Sequence, residues 1–367
     1  MATTWEITAM SSIDSWKDLE AKNLITKVIF RAIGIGCPPK PMELSSSYSM
    51  LSVFLVRQRN EAENVDSQIN LVAIVILSRG KCGLSKCITR YLLGMATADL
   101  MVVVIDVIVN RINSMYFPVS FLSVTPVCII SFVLYIVFVD CSVWFTVAFT
   151  FDRFVAICYQ KLQAKYCTER TATVAIVIVC VFSCVRTIPF YFLMEPAFLI
   201  DNIPWHCVPR ADYYTSPFWK AHEWFDRFIT PFVPMLLIMF FNALTTRHIL
   251  AANRVRRGLR RYSEKQNDPE VNSRRKSMIL LFTISANFIL LWMTYVVHAV
   301  LWPVTNVYYA DKYYSNPIYI TQQVGFMLLL LCSCTNTCIY GLTQRKFREE
   351  LKNGMKYLFT LNGKLCQ

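Results

Sequence analysis

Residues 128–154 read CIISFVLYIVFVDCSVWFTVAFTFDRF, and Asp140 is the one charged residue in this run before Asp152. A helix rises about 1.5 Å per residue, and about 20 apolar residues cross the hydrocarbon core of a bilayer. The apolar residues follow one another without the spacing of an amphipathic surface helix. The run therefore predicts a membrane-spanning helix with a charged pair, Asp152-Arg153, at its end.

The rest of the chain has the same character. Hydrophobic residues make up 55% of the 367 residues and charged residues 17%, against about a quarter charged in an ordinary soluble domain. This composition excludes a disordered or collagen-like chain. Six apolar runs are long enough to span a bilayer, and a soluble chain of this length could not bury all of them. They are Tyr91–Val109, Pro126–Phe151, Thr171–Leu193, Phe228–Thr246, Met278–Leu301 and Ile318–Leu342.

The region before the first run is irregular. A seventh helix would use 70–78 (NLVAIVILS), which is apolar for only about 13 Å. The preceding Arg57–Gln68 is heavily charged, and each charge at the bilayer centre costs about 2.5–3.5 kcal/mol. We expect an all-α, integral membrane seven-helix bundle with an atypical or truncated first helix. The expected units are an atypical segment over 1–68, the bundle over 69–342, and an amphipathic helix with a short tail over 343–367.

The positive charge is concentrated in alternate loops. The net charge is +13, and most of the 37 Lys and Arg residues lie before the first full run, after the second, in Arg247–Lys276 and after the last. Basic loops remain on the cytoplasmic side of a membrane, so the pattern predicts a multi-pass protein with a cytoplasmic C-terminus. A nucleic-acid-binding protein would carry this charge on one compact domain, so we expect no nucleic-acid partner.

Short motifs recur in a fixed order along these runs. Cys128 precedes Asp152-Arg153-Phe154 by 24 residues, and Asp99 lies in an Ala-x-Ala-Asp-Leu context. These motifs and the further positions given below resemble the motifs of rhodopsin-like (class A) G-protein-coupled receptors over about residues 70–358. The further matching positions are Asn70, Pro234, Trp292, Asn336 to Tyr340, and Phe347.

Within this family the chain is most similar to the orphan receptors numbered 139 and 142. The likeness rests on Val75–Ser78, Thr187–Tyr191 and Asn242, and on Leu291-Trp292. The chain also departs from the family. Thr294 and Thr337 replace two prolines of the sixth and seventh helices, so kinks there lose their usual cause.

The resemblance implies a switch that couples to a heterotrimeric G protein. Asp152 would hold Arg153 in one position, and a released Arg153 would meet the G protein. In many relatives an acidic residue at the base of the sixth helix pairs with this Arg, whereas this chain has Arg274. Like charges cannot form that pair, so we expect raised basal activity. The other implied switch residues are Phe154, Trp292, Asn336 and Tyr340.

The resemblance also implies a sodium pocket formed by Asp99, Ser142 and Asn336. A carboxylate in mid-membrane is by itself a functional-site hypothesis. The alternative is a neutral, hydrogen-bonded Asp99, because burial disfavours the charged form. No other cofactor or metal is expected, since Cys82 and Cys87 provide too few ligands for zinc.

A ligand cavity is expected between the outer halves of the helices. Unpaired charges are costly there, so Asp140 should pair with Arg186 or Arg227, either as structural support or as a ligand anchor. Tyr135 occupies the position where amine receptors keep an Asp, which favours a peptide or small zwitterionic ligand over a monoamine. Plain helix packing is the alternative for each aromatic residue. The remaining candidates are Ile136, Val139, Tyr295, His298, Gln322 and Phe326.

Two further features concern the ends of the bundle. The resemblance implies a disulfide between Cys128 and Cys207. After the last run, apolar residues recur at helical spacing among basic ones, which predicts an amphipathic helix bound to membrane lipids. Its apolar positions are Phe347, Leu351, Met355 and Leu358, and Cys366 is a candidate for palmitoylation.

These features together predict a plasma-membrane receptor that converts extracellular ligand binding into G-protein activation. No Walker loop, Gly-x-Ser-x-Gly motif or metal-ligand cluster occurs, so we do not expect an enzyme. One alternative is a channel or transporter, which predicts internal repeats or broken helices. Another is a non-signalling product of a misassembled first exon, suggested by the charges of Arg57–Gln68.

Overall fold

The structure is a computed structural model, and it describes residues 70–80, 82, 84–106, 109, 113, 120–259, 269–301, 317–344 and 346–353. The predictions for 1–68 lie outside these residues, as do those for Met355, Leu358 and Cys366. The extent of the first helix upstream of residue 70 also lies outside them.

Long helices make up most of the described chain. The long ones are α1 (70–78, as far as it is described), α2 (Lys86–Val103), α3 (Thr125–Cys158), α5 (Glu169–Leu193), α7 (Val233–Leu259), α8 (Pro269–Leu301) and α9 (Pro317–Thr343). The short ones are α4 (Gln160–Tyr166), α6 (Pro217–Arg227) and α10 (346–353).

Six segments of the described chain are long and apolar enough to cross a membrane, which confirms the six predicted spans. The fifth span joins α6 and α7 into Pro217–Ala252, so it begins earlier than the apolar run alone indicated. The predicted all-α membrane bundle is confirmed. The other spans are Lys86–Asp106, Thr125–Cys158, Glu169–Leu193, Ser277–Leu301 and Val324–Thr343.

Local sequence signals fix where the helices begin. The hydroxyl of Ser85 accepts a hydrogen bond from the backbone N–H of Ile88 at the start of α2. Thr168 does the same for Thr171 at the start of α5, at 3.2 Å. Both side chains satisfy a backbone donor that has no partner within its own helix. Pro126 lies in the first turn of α3, where its missing N–H costs nothing.

The inner faces of the helices form two apolar clusters. The larger joins α1, α2, α3, α8 and α9 and contains Phe149, Leu280 and Tyr340. The smaller surrounds Trp292 and includes Ile238 of α7. In contrast, the outward face of α5 consists of exposed apolar residues such as Ile178, which is 62% exposed. Apolar residues on both faces are expected of a helix that packs on one side and meets lipid on the other.

The loop after α5 contains short strands that the helical prediction did not include. β2 (Phe198–Ile200) pairs antiparallel with β3 (Ile203–Trp205) across a two-residue turn. Both turn residues, Asp201 and Asn202, have positive φ, as this tight turn requires. Outside this hairpin, β1 (Met194–Glu195) pairs with β4 (Val208–Pro209).

The disulfide between Cys128 and Cys207 is present and fastens this loop to the start of α3, as predicted. The N–H of His206 donates to the carbonyl oxygen of Ser123 at 2.7 Å, next to that bond. The end of the bundle that holds Cys128 is called the disulfide end below. The opposite end, which holds Arg153, is called the Arg153 end.

Helix irregularity occurs in the fifth span rather than the sixth or seventh. Both α8 and α9 continue without a break through Thr294 and Thr337, where the family has proline. Between α6 and α7, residues Phe228–Phe232 form a wide turn in which Thr230 leaves helical geometry, at φ −144° and ψ 112°. The sixth and seventh helices are therefore continuous rods.

Candidate functional site

Arg153 lies buried at its end of the bundle and bridges two helices. Its Nε donates to Oδ2 of the neighbouring Asp152 at 3.0 Å, and its Nη1 donates to Oγ of Ser277 on α8 at 3.4 Å. Both Asp152 and Arg153 are buried. The arginine therefore links α3 to α8 through a neutral hydroxyl. Sequence reasoning missed Ser277, because a single serine within a helix carries no signal of its own.

Arg274 lies on α8 one turn before Ser277, and its side chain lies outside the described residues. The predicted effect of its charge therefore stays a prediction. Phe154, the third residue of the motif, packs against Phe241 of α7 with 5.5 Å between ring centroids. The motif thus contacts both α7 and α8 at this end.

Two thiols also contact Asp152. Cys87 Sγ donates to Asp152 Oδ1 at 3.1 Å, and Cys167 Sγ donates to the Asp152 carbonyl oxygen at 3.5 Å. Burial and the neighbouring Asp152 carboxylate raise the pKa of the Cys167 thiol to about 12, so it remains a protonated donor. Cys82 donates instead to the carbonyl oxygen of Ile76, so Cys82 and Cys87 have different partners.

The three residues of the implied sodium pocket lie together. The Ser142 hydroxyl donates to Asp99 Oδ1 at 2.6 Å, and Asn336 Nδ2 donates to Asp99 Oδ2 at 2.9 Å. A cavity of about 20 Å³ is lined by two of them, Ser142 and Asn336, together with Ser333 and Trp292. That volume holds one water-sized species. The carboxylate, hydroxyl and amide oxygens are hard ligands of the kind a small cation prefers, so the residues fit a sodium ion.

The seventh helix bonds to the first through a residue that replaces proline. Thr337 Oγ1 donates to Asn70 Oδ1 at 2.8 Å, and Asn70 Nδ2 donates to the carbonyl oxygen of Ser333 at 3.3 Å. Nearby, Tyr340 is fully buried and packs edge-on against Phe347 of α10. The described part of α1 therefore belongs to the bundle despite the charges that precede it in sequence.

A buried ion network joins three helices towards the disulfide end. Arg186 of α5 donates from Nε to Asp140 Oδ2 at 2.9 Å, and it also pairs with Asp226 of α6. The side chains of Asp140 and Arg186 are 2% and 4% exposed, and that of Asp226 is 26% exposed. Two carboxylates thus face one guanidinium. Of the two partners considered for Asp140, the structure selects Arg186.

Arg227 has other partners. It pairs with Glu223 one turn earlier on α6, and its Nη1 donates to the carbonyl oxygen of Ala299 at 2.8 Å. Arg227 therefore fastens the fifth span to the last turn of α8. Sequence reasoning could not choose between the two arginines, because both lie in the same half of the bundle.

Aromatic residues gather around Trp292. Trp292 stacks on Phe288 with 5.2 Å between ring centroids and meets Tyr295 edge-on at 5.8 Å. Tyr295 in turn contacts Phe326 and His298. Two other predicted pocket residues, Tyr135 and Val139 of α3, line the small cavity beside Trp292. The remaining two, Ile136 of α3 and Gln322 of α9, are half-buried.

The fold and this set of motifs define a heptahelical membrane receptor. The sequence profile of the 7 transmembrane receptor (rhodopsin family) matches residues 69–340, so the chain belongs to that family. This confirms the predicted family and a multi-pass membrane protein, and the family consists of receptors rather than enzymes. The matched segment begins one residue before the described part of α1.

Curated relatives include receptors named for peptides. The chain is 22% identical over 304 residues to the FMRFamide receptor of Drosophila melanogaster, covering 76% of this chain and 50% of that receptor. It is 27% identical over 311 residues to the thyrotropin-releasing hormone receptor of Gallus gallus, covering 77% and 73%. The same receptor of Bos taurus is 24% identical over 309 residues, also covering 77% and 73%. The chain thus spans half the length of the fly receptor.

Proposed function

We propose that this chain is a plasma-membrane receptor that activates a heterotrimeric G protein in response to a peptide or small zwitterionic ligand. The family, the relatives named for peptides and the mixed charges near the disulfide end support this proposal. The basic loops support an orientation in which the Arg153 end and the C-terminus are cytoplasmic. The likeness to the orphan receptors 139 and 142 remains a narrower proposal, carried by Thr187–Tyr191 and Asn242.

The observation that carries the proposal is the position of Arg153. It is buried, paired with Asp152, and bonded to Ser277 on α8. Arg153 could therefore alternate between this bonded position and a position released from Ser277, as a receptor switch requires. Movement of α8 away from α3 would break the Ser277 contact and open a site for a G-protein segment. The weak link through a hydroxyl favours a receptor with appreciable basal activity.

The ligand is expected between the disulfide end and Trp292. Asp226 and Glu223 are partly exposed there, and each is already paired with an arginine. Ligand groups of either sign can replace one member of such a pair, which suits a peptide or zwitterion. A ligand that contacts Tyr295 would act on Trp292 through direct ring contact.

Sodium would lie beside Asp99, held by oxygens of Asp99, Ser142 and Asn336. A bound ion supplies a positive charge that keeps Asp99 ionised in the bundle interior. The test is the unfolding midpoint of the purified protein in sodium against choline buffers. We expect stabilisation by sodium in the unsubstituted chain and none in Asp99→Asn. Equal midpoints in both buffers for both proteins would support the neutral, hydrogen-bonded Asp99.

The receptor proposal is tested by nucleotide exchange on purified G proteins of each major class, with the protein in lipid nanodiscs. FMRFamide and thyrotropin-releasing hormone serve as peptide probes. We expect basal exchange on at least one class that Arg153→Ala abolishes, and that Arg274→Glu lowers by supplying an acidic partner for Arg153. Absence of exchange on every class would contradict G-protein coupling. Ion flux that survives Arg153→Ala would favour the channel alternative instead.

The N-terminal segment needs its own test. An epitope fused to Met1 is labelled in intact and in permeabilised cells. Labelling of intact cells supports a spanning first helix and an extracellular N-terminus. Labelling after permeabilisation only would support the misassembled first exon and contradict a complete receptor.

A further inference from the structure

Three consecutive residues of α9 bond to three different helices. Thr335 accepts a hydrogen bond from Asn287 Nδ2 of α8 at 2.9 Å. Asn336 bonds Asp99 of α2, and Thr337 bonds Asn70 of α1. Successive helical residues point about 100° apart, so a three-residue stretch reaches neighbours around more than half of the helix. Residues 335–337 are called the α9 hub below.

The bond between Asn287 and Thr335 is the part of the α9 hub that holds α8. The single hydroxyl proton of Thr335 is shared between the carbonyl oxygens of Leu331 and Cys332, so the lone pairs of Oγ1 can accept from Asn287. Asn287 Nδ2 also lies 3.7 Å from Cys332 Sγ. Both side chains are half-buried at the contact between α8 and α9.

Among the described residues, polar contacts restrain α8 near each end and in the middle. Ala299 bonds Arg227 towards the disulfide end, Asn287 bonds Thr335 in the middle, and Ser277 bonds Arg153 at the opposite end. Since α8 is continuous through Thr294, a tilt of this helix would move it as a single lever. With the pivot at Leu301, Ser277 lies about 36 Å and Asn287 about 21 Å from it. A displacement at Ser277 therefore moves Asn287 about 0.6 times as far.

We propose that Asn287 and Thr335 form a clasp that sets the resting position of α8, and that this clasp opens together with the Arg153–Ser277 contact. The lever ratio couples the two contacts in one direction, because a shift large enough to separate Asn287 from Thr335 moves Ser277 farther still and breaks its longer contact with Arg153 as well. The missing proline at position 294 makes this coupling necessary, since no hinge uncouples the two halves of α8. The inference deepens the proposed receptor function and rests on it.

The test measures the position of α8 directly, without ligand or G protein. Spin labels are placed on ketone-bearing unnatural residues at Lys161 and Arg275, both exposed, in the full-length protein in nanodiscs. Pulsed electron paramagnetic resonance then gives the distribution of distances between the two labels. Because no G protein is used, absent nucleotide exchange and an unchanged α8 position remain separate results.

An interhelical hydrogen bond in a membrane protein changes an equilibrium constant by about 3-fold to about 20-fold. We expect Asn287→Leu and Thr335→Val each to raise the ratio of long to short distances by that factor. The double variant should match the single variants, because both remove the same bond. Thr335→Ser retains the hydroxyl and should retain the original distribution, which also decides the matter if Asn287→Leu fails to fold.

The matched control is Thr337→Val, which makes the same substitution in the α9 hub but breaks the bond to α1. It should leave the distance between the labels unchanged. The clasp is refuted if Thr335→Val behaves like Thr337→Val, or if the effects of Asn287→Leu and Thr335→Val add in the double variant.

Discussion

Removing Arg186 should destabilise the protein far more than neutralising its partner Asp140. Arg186 faces two carboxylates, Asp140 and Asp226, and both it and Asp140 are almost completely buried. In Arg186→Met, two negative charges would remain together without a cation. Loss of one partner of a buried pair costs about 3–5 kcal/mol, because the remaining charge is left uncompensated.

Asp140→Asn should be mild for the same reason. The amide oxygen still accepts from Arg186, and Arg186 and Asp226 then balance one to one. The expected loss is about 1 kcal/mol, the value of an ordinary hydrogen bond. Adding Asp140→Leu to Arg186→Met should recover a large part of the lost stability, because it removes one of the two opposed carboxylates.

The assay is the unfolding midpoint of each variant in detergent, followed with a thiol-reactive dye at one heating rate. The control is Arg210→Met, which breaks an exposed pair with Asp212 and should cost less than about 1 kcal/mol. The expected order of midpoints is unsubstituted, Asp140→Asn, the double variant and then Arg186→Met. If Arg186→Met is as stable as Asp140→Asn, the surplus-charge argument is wrong.

Three further predictions follow from other contacts. Cys128→Ser should cost about 2–5 kcal/mol and reduce surface expression in labelled cells, because the loop loses its covalent link to α3; expression equal to the unsubstituted chain would contradict this. Cys167 should alkylate slowly at pH 8, and Asp152→Asn should accelerate it in a mass-spectrometric time course, because loss of the carboxylate lowers the thiol pKa and increases the thiolate fraction; an unchanged rate would count against the contact. Thr337→Val should lower the unfolding midpoint by the equivalent of about 0.6 kcal/mol, since Asn70 loses a donor, and an unchanged midpoint would argue that this bond adds nothing.

Much of the fold could be predicted because a bilayer imposes a length on every apolar run. The six runs coincide with six spans, and fixed motif spacing indicated the family and the link between Cys128 and Cys207. The starts of the spans were less predictable. The helix that contains the fifth span begins at Pro217, before the predicted apolar run. The search for apolar runs missed α6, because α6 is amphipathic and carries charges that pair inside the bundle.

The partners within the candidate site were predictable only in part. Asp99, Ser142 and Asn336 were expected together through the family resemblance, and their contacts agree with it. Cys87 and Ser277 gave no such signal. Each is a small polar residue, and such residues occur in many places without a role.

The sequence alone determined which segments are helices, that they cross a membrane, and which residues carry the family's motifs. These properties depend on the length of the apolar runs and on the spacing of residues along the sequence. Only the tertiary structure decided that Arg186, not Arg227, neutralises Asp140, and that Thr335 and Thr337 bond different helices. A helix can rotate about its axis without changing its own hydrogen bonds, so its packing against neighbours determines which side chains meet.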